Sequence, residues 1–117
     1  MVYTAGLHVI CEIRASRNTV NNNTGNWNDF MSQILSEHQL VEVGKVFHEF
    51  NGGGFTAVHC LTESHIAVHT WPEFDLVTFD VFLCNYERNN TELTEKIADS
   101  IRAFFEGSII QENKIRR

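Results

Sequence analysis

Apolar residues in this chain come in short β-prone runs broken by turn formers, with two stretches at helical spacing between them. Residues 7 to 13 form the first run and predict a strand. The following segment from Ser16 to Asn28 is polar and rich in Asn, a composition that predicts a loop. Asn28 or Asp29 then caps an expected helix ending near His38, with Phe30, Met31, Ile34 and Leu35 on one stripe. Val41 to Phe50 alternates as a strand, Asn51-Gly52-Gly53-Gly54 breaks it, and Phe55 to Leu61 resumes. Two further runs, His65 to Thr70 and Val77 to Cys84, flank a turn at Pro72-Glu73-Phe74-Asp75. A second helix opens at Asn90-Thr91-Glu92-Leu93, carries Leu93, Ile97, Ile101 and Phe104 or Phe105 on one stripe, and ends at Gly107. Ser108 to Ile110 reads as a last short strand. The pattern predicts an α/β domain of the α+β type, a two-layer sandwich of a mainly antiparallel sheet with two helices on one face.

Polar chemistry interrupts this pattern between Leu61 and Glu73, where Ser64, His65 and His69 stand on what otherwise reads as a buried strand. Antiparallel pairing about a turn centred on Phe74 places Cys84 across from Ser64, with opposed Cβ atoms about 4.5 to 5.5 Å apart. Strict alternation puts Ser64 and His69, five residues apart, on opposite faces, so a bulge or a break in the chain must intervene for one to serve the other.

Composition narrows the classes of function. With 117 residues the chain makes a single domain, 1–117, with one modest core, short enough for a site to be shared between subunits. A formal charge of −6 and scattered basic residues argue against a nucleic-acid partner. No apolar stretch reaches the roughly 18 residues that span a bilayer. The N-terminus lacks a signal-peptide pattern, so a cytoplasmic protein is expected. Cys11, Cys60 and Cys84 are odd in number and widely spaced, which predicts free thiols; the sequons at Asn22 and Asn89 would matter only in a secreted protein.

Several chemistries compete for the polar residues. His59, His65 and His69 fall on one face if alternation runs unbroken and would offer zinc ligands, but no carboxylate or thiolate completes such a site and no metal is expected. A Ser-His hydrolase lacks the strand-Gly-x-Ser-x-Gly-helix setting. Ser64 alone could be a polar residue at a strand break, Cys84 a small buried hydrophobe, and Phe50 and Trp71 ordinary aromatics of a core or interface.

Glu63-Ser64-His65, His69-Thr70-Trp71-Pro72-Glu73 and Asp80-Val81-Phe82 with Cys84 together resemble the prokaryotic S-adenosylmethionine decarboxylases, pyruvoyl-dependent enzymes of polyamine (spermidine) synthesis. The likeness extends through Phe47-His48-Glu49-Phe50 and Gly54-Phe55-Thr56, and loosely to Gly6-Leu7-His8 and Glu12. It implies a zymogen that cuts itself between Glu63 and Ser64, giving a β chain 1–63 and an α chain 64–117 and turning Ser64 into a pyruvoyl group that forms a Schiff base with substrate. In the same resemblance His69 matches the residue that abstracts the processing proton, Thr56 a processing hydroxyl, and Cys84 the general acid of decarboxylation. Phe50, Trp71 and Glu73 match substrate-binding positions, and a homodimer of cleaved protomers is implied. The chain departs from the family pattern at Asn51-Gly52-Gly53, which lacks a Pro, at Asn85 after Cys84, and across Phe74 to Phe79. These departures fall around the substrate pocket and leave decarboxylation of arginine or ornithine as alternatives, with an uncut binding subunit as a third.

Overall fold

In the computed structural model, which describes residues 2–86 and 88–117, every run with β alternation becomes a strand of one sheet. The strands are β1 (Leu7–Arg14), β2 (Glu42–Glu49), β3 (Phe55–Leu61), β4 (Ser64–Trp71), β5 (Leu76–Leu83) and β6 (Ser108–Arg116), ordered β2-β3-β4-β5-β1-β6 and antiparallel at each recorded pairing. Helices α1 (Arg17–Val20), α2 (Thr24–Glu37) and α3 (Thr91–Phe104) accompany it.

The core lies between one sheet face and the two long helices. Val77, Phe79, Val81 and Leu83 of β5 alternate with half-buried residues, and Ile97 and Ile101 of α3 and Met31 of α2 belong to the same buried cluster. The two-layer sandwich expected from the pattern is what forms, with the short α1 in addition.

Two element boundaries and one strand register differ from expectation, each for a physical reason. The Asn-rich segment is not all loop, because Asn23 accepts a 2.8 Å hydrogen bond from the Asn26 amide and starts α2 about one and a half turns early. That earlier start delivers Trp27 to the centre of the core, fully buried and stacked on Phe105 at 5.9 Å. Removing a side chain of this size would cost about 3 to 5 kcal/mol. The last strand runs nine residues rather than three, since β1 would otherwise leave a row of backbone groups unpaired along its edge.

The third difference is register. Pro72 to Phe74 form a 3-10 turn closed by Asp75 in the left-handed conformation, so that Trp71 pairs with Leu76 and the four-residue connection fixes Ser64 opposite Leu83. Cys84 therefore lies one residue beyond the expected partner, opposite Glu63. Gly54 ties the neighbouring loop to this turn: its φ is +89°, and a Cβ there would sit 2.9 Å from both Pro72 Cδ and the Thr70 carbonyl oxygen.

Candidate active site

Leu61 pairs with Ser64, so Thr62 and Glu63 make a two-residue hairpin turn and the Glu63–Ser64 peptide sits at the head of β4 rather than within it. Ser64 has a φ of +119°, a region that L-residues rarely enter and that costs of order 1 to 3 kcal/mol. Such a conformation persists only where the surroundings impose it. The Cys84 amide donates to the Glu63 carbonyl oxygen at 2.9 Å. The Glu63 carboxylate accepts from Asn90 Nδ2 at 2.5 Å and from Arg88 at 3.4 Å. Gly6 brings the N-terminal segment against this end of the sheet, where a Cβ would lie 3.1 Å from Cys84 Cα. A cavity of about 390 Å³ lined by Val2, Tyr3, Thr4, Cys84, Asn85 and Tyr86 opens at this end of the sheet.

A second cluster occupies the opposite end of the same strands. Thr56 pairs with His69 across β3 and β4, and their side chains hydrogen-bond at 3.0 Å between Oγ1 and Nδ1. Phe50, Trp71 and Glu73 join them around a cavity of about 200 Å³, with the two aromatic rings about half exposed. Trp71 Nε1 donates to Thr78 Oγ1 at 3.4 Å, which orients the indole.

The eight residues singled out in the sequence thus fall into two groups. Glu63, Ser64 and Cys84 share one end, and Thr56, His69, Phe50, Trp71 and Glu73 share the other. Pairing along β4 is regular on both sides, without the bulge that would bring His69 round to Ser64. Five residues of extended chain separate the two by roughly 16 Å.

The imidazoles also divide. Pairing of His59 with Ile66 puts His59 on the core face, whereas His65 and His69 are on the other, so these three do not converge. His59 is 1% exposed, accepts from Trp27 Nε1 at 2.8 Å and contacts Glu42 at 2.7 Å through Nδ1. With Nε2 occupied as an acceptor, Nδ1 carries the proton and donates to Glu42. Burial holds this imidazole below its usual pKa, against the opposing pull of Glu42.

On the other sheet face His8 and His65 both place Nε2 2.8 Å from Asp80 Oδ2. Arg117 donates to His8 Nδ1 at 3.3 Å, so His8 Nε2 bears the hydrogen and donates to Asp80. Burial drives the Cys11 thiol up to about 11, which keeps it protonated in the core. All three cysteines are free thiols. Sequence reasoning missed Asn90, Arg88, Tyr3 and Tyr86; nothing in the spacing of a loop and a helix start signals a contact to a hairpin some 25 residues away.

Comparison with known proteins places the molecule. Residues 7–117 match the family model described as S-adenosylmethionine decarboxylase. An S-adenosylmethionine decarboxylase proenzyme of Thermoanaerobacter sp. is 35% identical over 100 residues, covering 84% of this chain and 79% of that one. The proenzyme of Archaeoglobus fulgidus is 29% identical over 101 residues, covering 86% and 84%. The crystal structure of the adenosylmethionine decarboxylase from Aquifex aeolicus superposes with a TM-score of 0.77 at 22% identity, covering 99% of this chain and 91% of that one. The chain belongs to the S-adenosylmethionine decarboxylase family.

Proposed function

We propose that this protein is a self-processing decarboxylase that converts S-adenosylmethionine to its decarboxylated form for spermidine synthesis, and that Ser64 supplies its pyruvoyl group. The observation that carries the reading is the Glu63–Ser64 peptide, in a family whose relatives are named proenzymes, with a φ of +119° at Ser64 and an amide donor on the Glu63 carbonyl.

Cutting follows from groups on the chain itself. The Ser64 hydroxyl adds to the Glu63 carbonyl carbon, the Cys84 N–H stabilises the charge developing on oxygen by donating its hydrogen bond, and the proton passes to the departing Ser64 nitrogen. An ester remains. Removal of the Ser64 α-proton then breaks the Cβ–Oγ bond and expels the main-chain carboxylate of Glu63, the new C-terminus of the 1–63 chain, and water hydrolyses the tautomerised product to a pyruvoyl terminus and ammonia. The hairpin position suits this step, since opening a two-residue turn leaves the β3–β4 ladder in place. The pyruvoyl carbonyl, when formed, serves as the electron sink that decarboxylation of an α-amino acid requires.

His69 is the base for the α-proton, with Thr56 holding its Nδ1. Because His69 stands at the far end of β4, it reaches Ser64 only from a second subunit. A homodimer with two composite sites, each joining Ser64 and Cys84 of one protomer to Thr56, His69, Phe50, Trp71 and Glu73 of the other, satisfies the geometry. Its natural interface is the sheet face without helices, where Ile10 and Val58 are exposed beside Ala67 and Phe82. Phe50 and Trp71 then flank the adenine, Glu73 accepts from ribose hydroxyls, and the Cys84 thiol returns a proton to carbon after carbon dioxide leaves.

The relatives lend no support to arginine or ornithine as substrate. No helix among the described residues is long and apolar enough to cross a membrane, and with the free thiols this agrees with a cytoplasmic enzyme. Intact mass of the purified protein tests the reading. We expect two fragments with a pyruvoyl-blocked terminus at position 64 and release of carbon dioxide from S-adenosylmethionine in preference to arginine or ornithine. A single full-length chain without activity would overturn it in favour of a binding subunit.

A further inference from the structure

Asn90 occupies the N-cap position of α3 yet makes no side-chain cap there. It is 1% exposed, and its Nδ2 instead bridges the Glu63 carboxylate at 2.5 Å and the Cys84 carbonyl at 2.9 Å. The residue is itself held on three sides. Its amide donates to Asn85 Oδ1 at 2.7 Å, and its carbonyl oxygen accepts from the Thr94 amide and hydroxyl, both at 2.8 Å. A buried amide anchored to a helix start is thus aimed at the residue preceding the proposed cut. Because a helix N-terminus favours an Asn side chain that caps it, giving that bond up requires another use for the group.

The Ser64 conformation supplies the use. For an L-residue the torsion from the preceding carbonyl carbon to Cβ trails φ by about 120°, so a φ of +119° brings Ser64 Cβ almost into eclipse with the Glu63 carbonyl carbon. Attack by Oγ on that carbon closes a five-membered ring of C, N, Cα, Cβ and Oγ, and such a ring needs this torsion to be small. In ordinary extended backbone it is near 120° and the ring cannot close. The unfavourable backbone is therefore the geometry of attack, and something must hold it. Cys84 fixes the Glu63 carbonyl from one side and Asn90 fixes the Glu63 carboxylate, with Arg88 bridging that carboxylate to the His38 carbonyl oxygen at 3.1 Å.

We propose that Asn90 is the positioning residue for self-cutting, clamping Glu63 against the Cys84 segment so that the Ser64 hydroxyl faces the carbonyl it attacks. The inference rests on Ser64 being the cut site. In the step itself the Oγ–C bond forms and the C–N bond breaks, while the Oγ proton moves to the Ser64 nitrogen; Asn90 exchanges no proton and acts only through Glu63.

A time course of precursor made by cell-free translation, followed by gel and intact mass, tests this. Asn90→Ala and Asn90→Asp are each expected to slow cutting by about ten- to a hundredfold, the loss of one charge-assisted buried bond. Glu63→Ala should slow it comparably, and adding Asn90→Ala to Glu63→Ala should change the rate little further. A purely structural role predicts the opposite, an equal loss from Asn90→Ala in both backgrounds, and that result would overturn the proposal. Wild-type rates in Asn90→Ala and Asn90→Asp would also overturn it. Should Asn90→Ala fail to fold, Asn90→Asp and the exposed Arg88→Ala carry the test, and wild-type cutting in both would count against the clamp. An uncut wild-type chain would instead remove Ser64 as the cut site, a separate failure recognised before any variant is compared.

Discussion

The Cys84 amide hydrogen-bonds the Glu63 carbonyl oxygen across 2.9 Å, so the backbone of residue 84 faces the Glu63–Ser64 peptide while the same residue lines the neighbouring cavity. In the proposed mechanism one residue thus serves two different steps through two different groups.

Cys84→Ala separates those steps. The amide donor survives, so cutting at Ser64 is expected at close to the wild-type extent. Turnover of the cut enzyme is expected to fall by about 10²- to 10⁴-fold for loss of a general acid. Intact mass and carbon dioxide release read the two steps independently. Wild-type turnover would take the thiol out of the mechanism.

The division of the site between two ends of β4 makes a complementation experiment decisive. Ser64→Ala and His69→Ala chains are each expected to give no active enzyme alone. Co-expressed, they should form mixed dimers in which Ser64 of one chain meets His69 of the other, restoring one site in two. Activity should recover to roughly a quarter of wild type if mixing is random and half the dimers carry one site. A site contained within one chain predicts no recovery at all.

His59 makes stability depend on pH. Folding lowers its pKa below the ordinary value, chiefly through burial, so the unfolded chain binds more protons than the native one in the interval just below about 6.5. Stability is therefore complete above that interval and falls as pH drops through it, because protonating Nε2 would turn the acceptor of the Trp27 N–H into a donor. Thermal melts between pH 7.5 and 5.5 should show this decline. His59→Gln, less stable at neutral pH, should show a shallower one, and an unchanged slope would assign the dependence to another group.

Much of this protein is legible along the chain. Strand and helix identities follow from periodicity because each element buries one face against the same core, as Val77, Phe79, Val81 and Leu83 do in β5. The motif from Glu63 to Cys84 carries the family resemblance within the sequence alone. Boundaries were less legible where one residue overrides composition, as Asn23 does by capping α2 inside a segment that reads as loop.

The sequence by itself determined which residues are candidates for the chemistry, since a hydroxyl, an imidazole and a thiol at those spacings are local facts. Their spatial grouping was decided only in three dimensions. Side chains alternate with a period of two, so an even-numbered turn at Pro72 to Asp75 shifts Cys84 by one position and sets its amide rather than its side chain on Glu63. Regular pairing along β4 holds Ser64 and His69 apart, and the long-range contact from Asn90 to Glu63 arises from the packing of α3 against the sheet. None of these is encoded by neighbouring residues, because each depends on which distant backbone the sheet and helix bring into register.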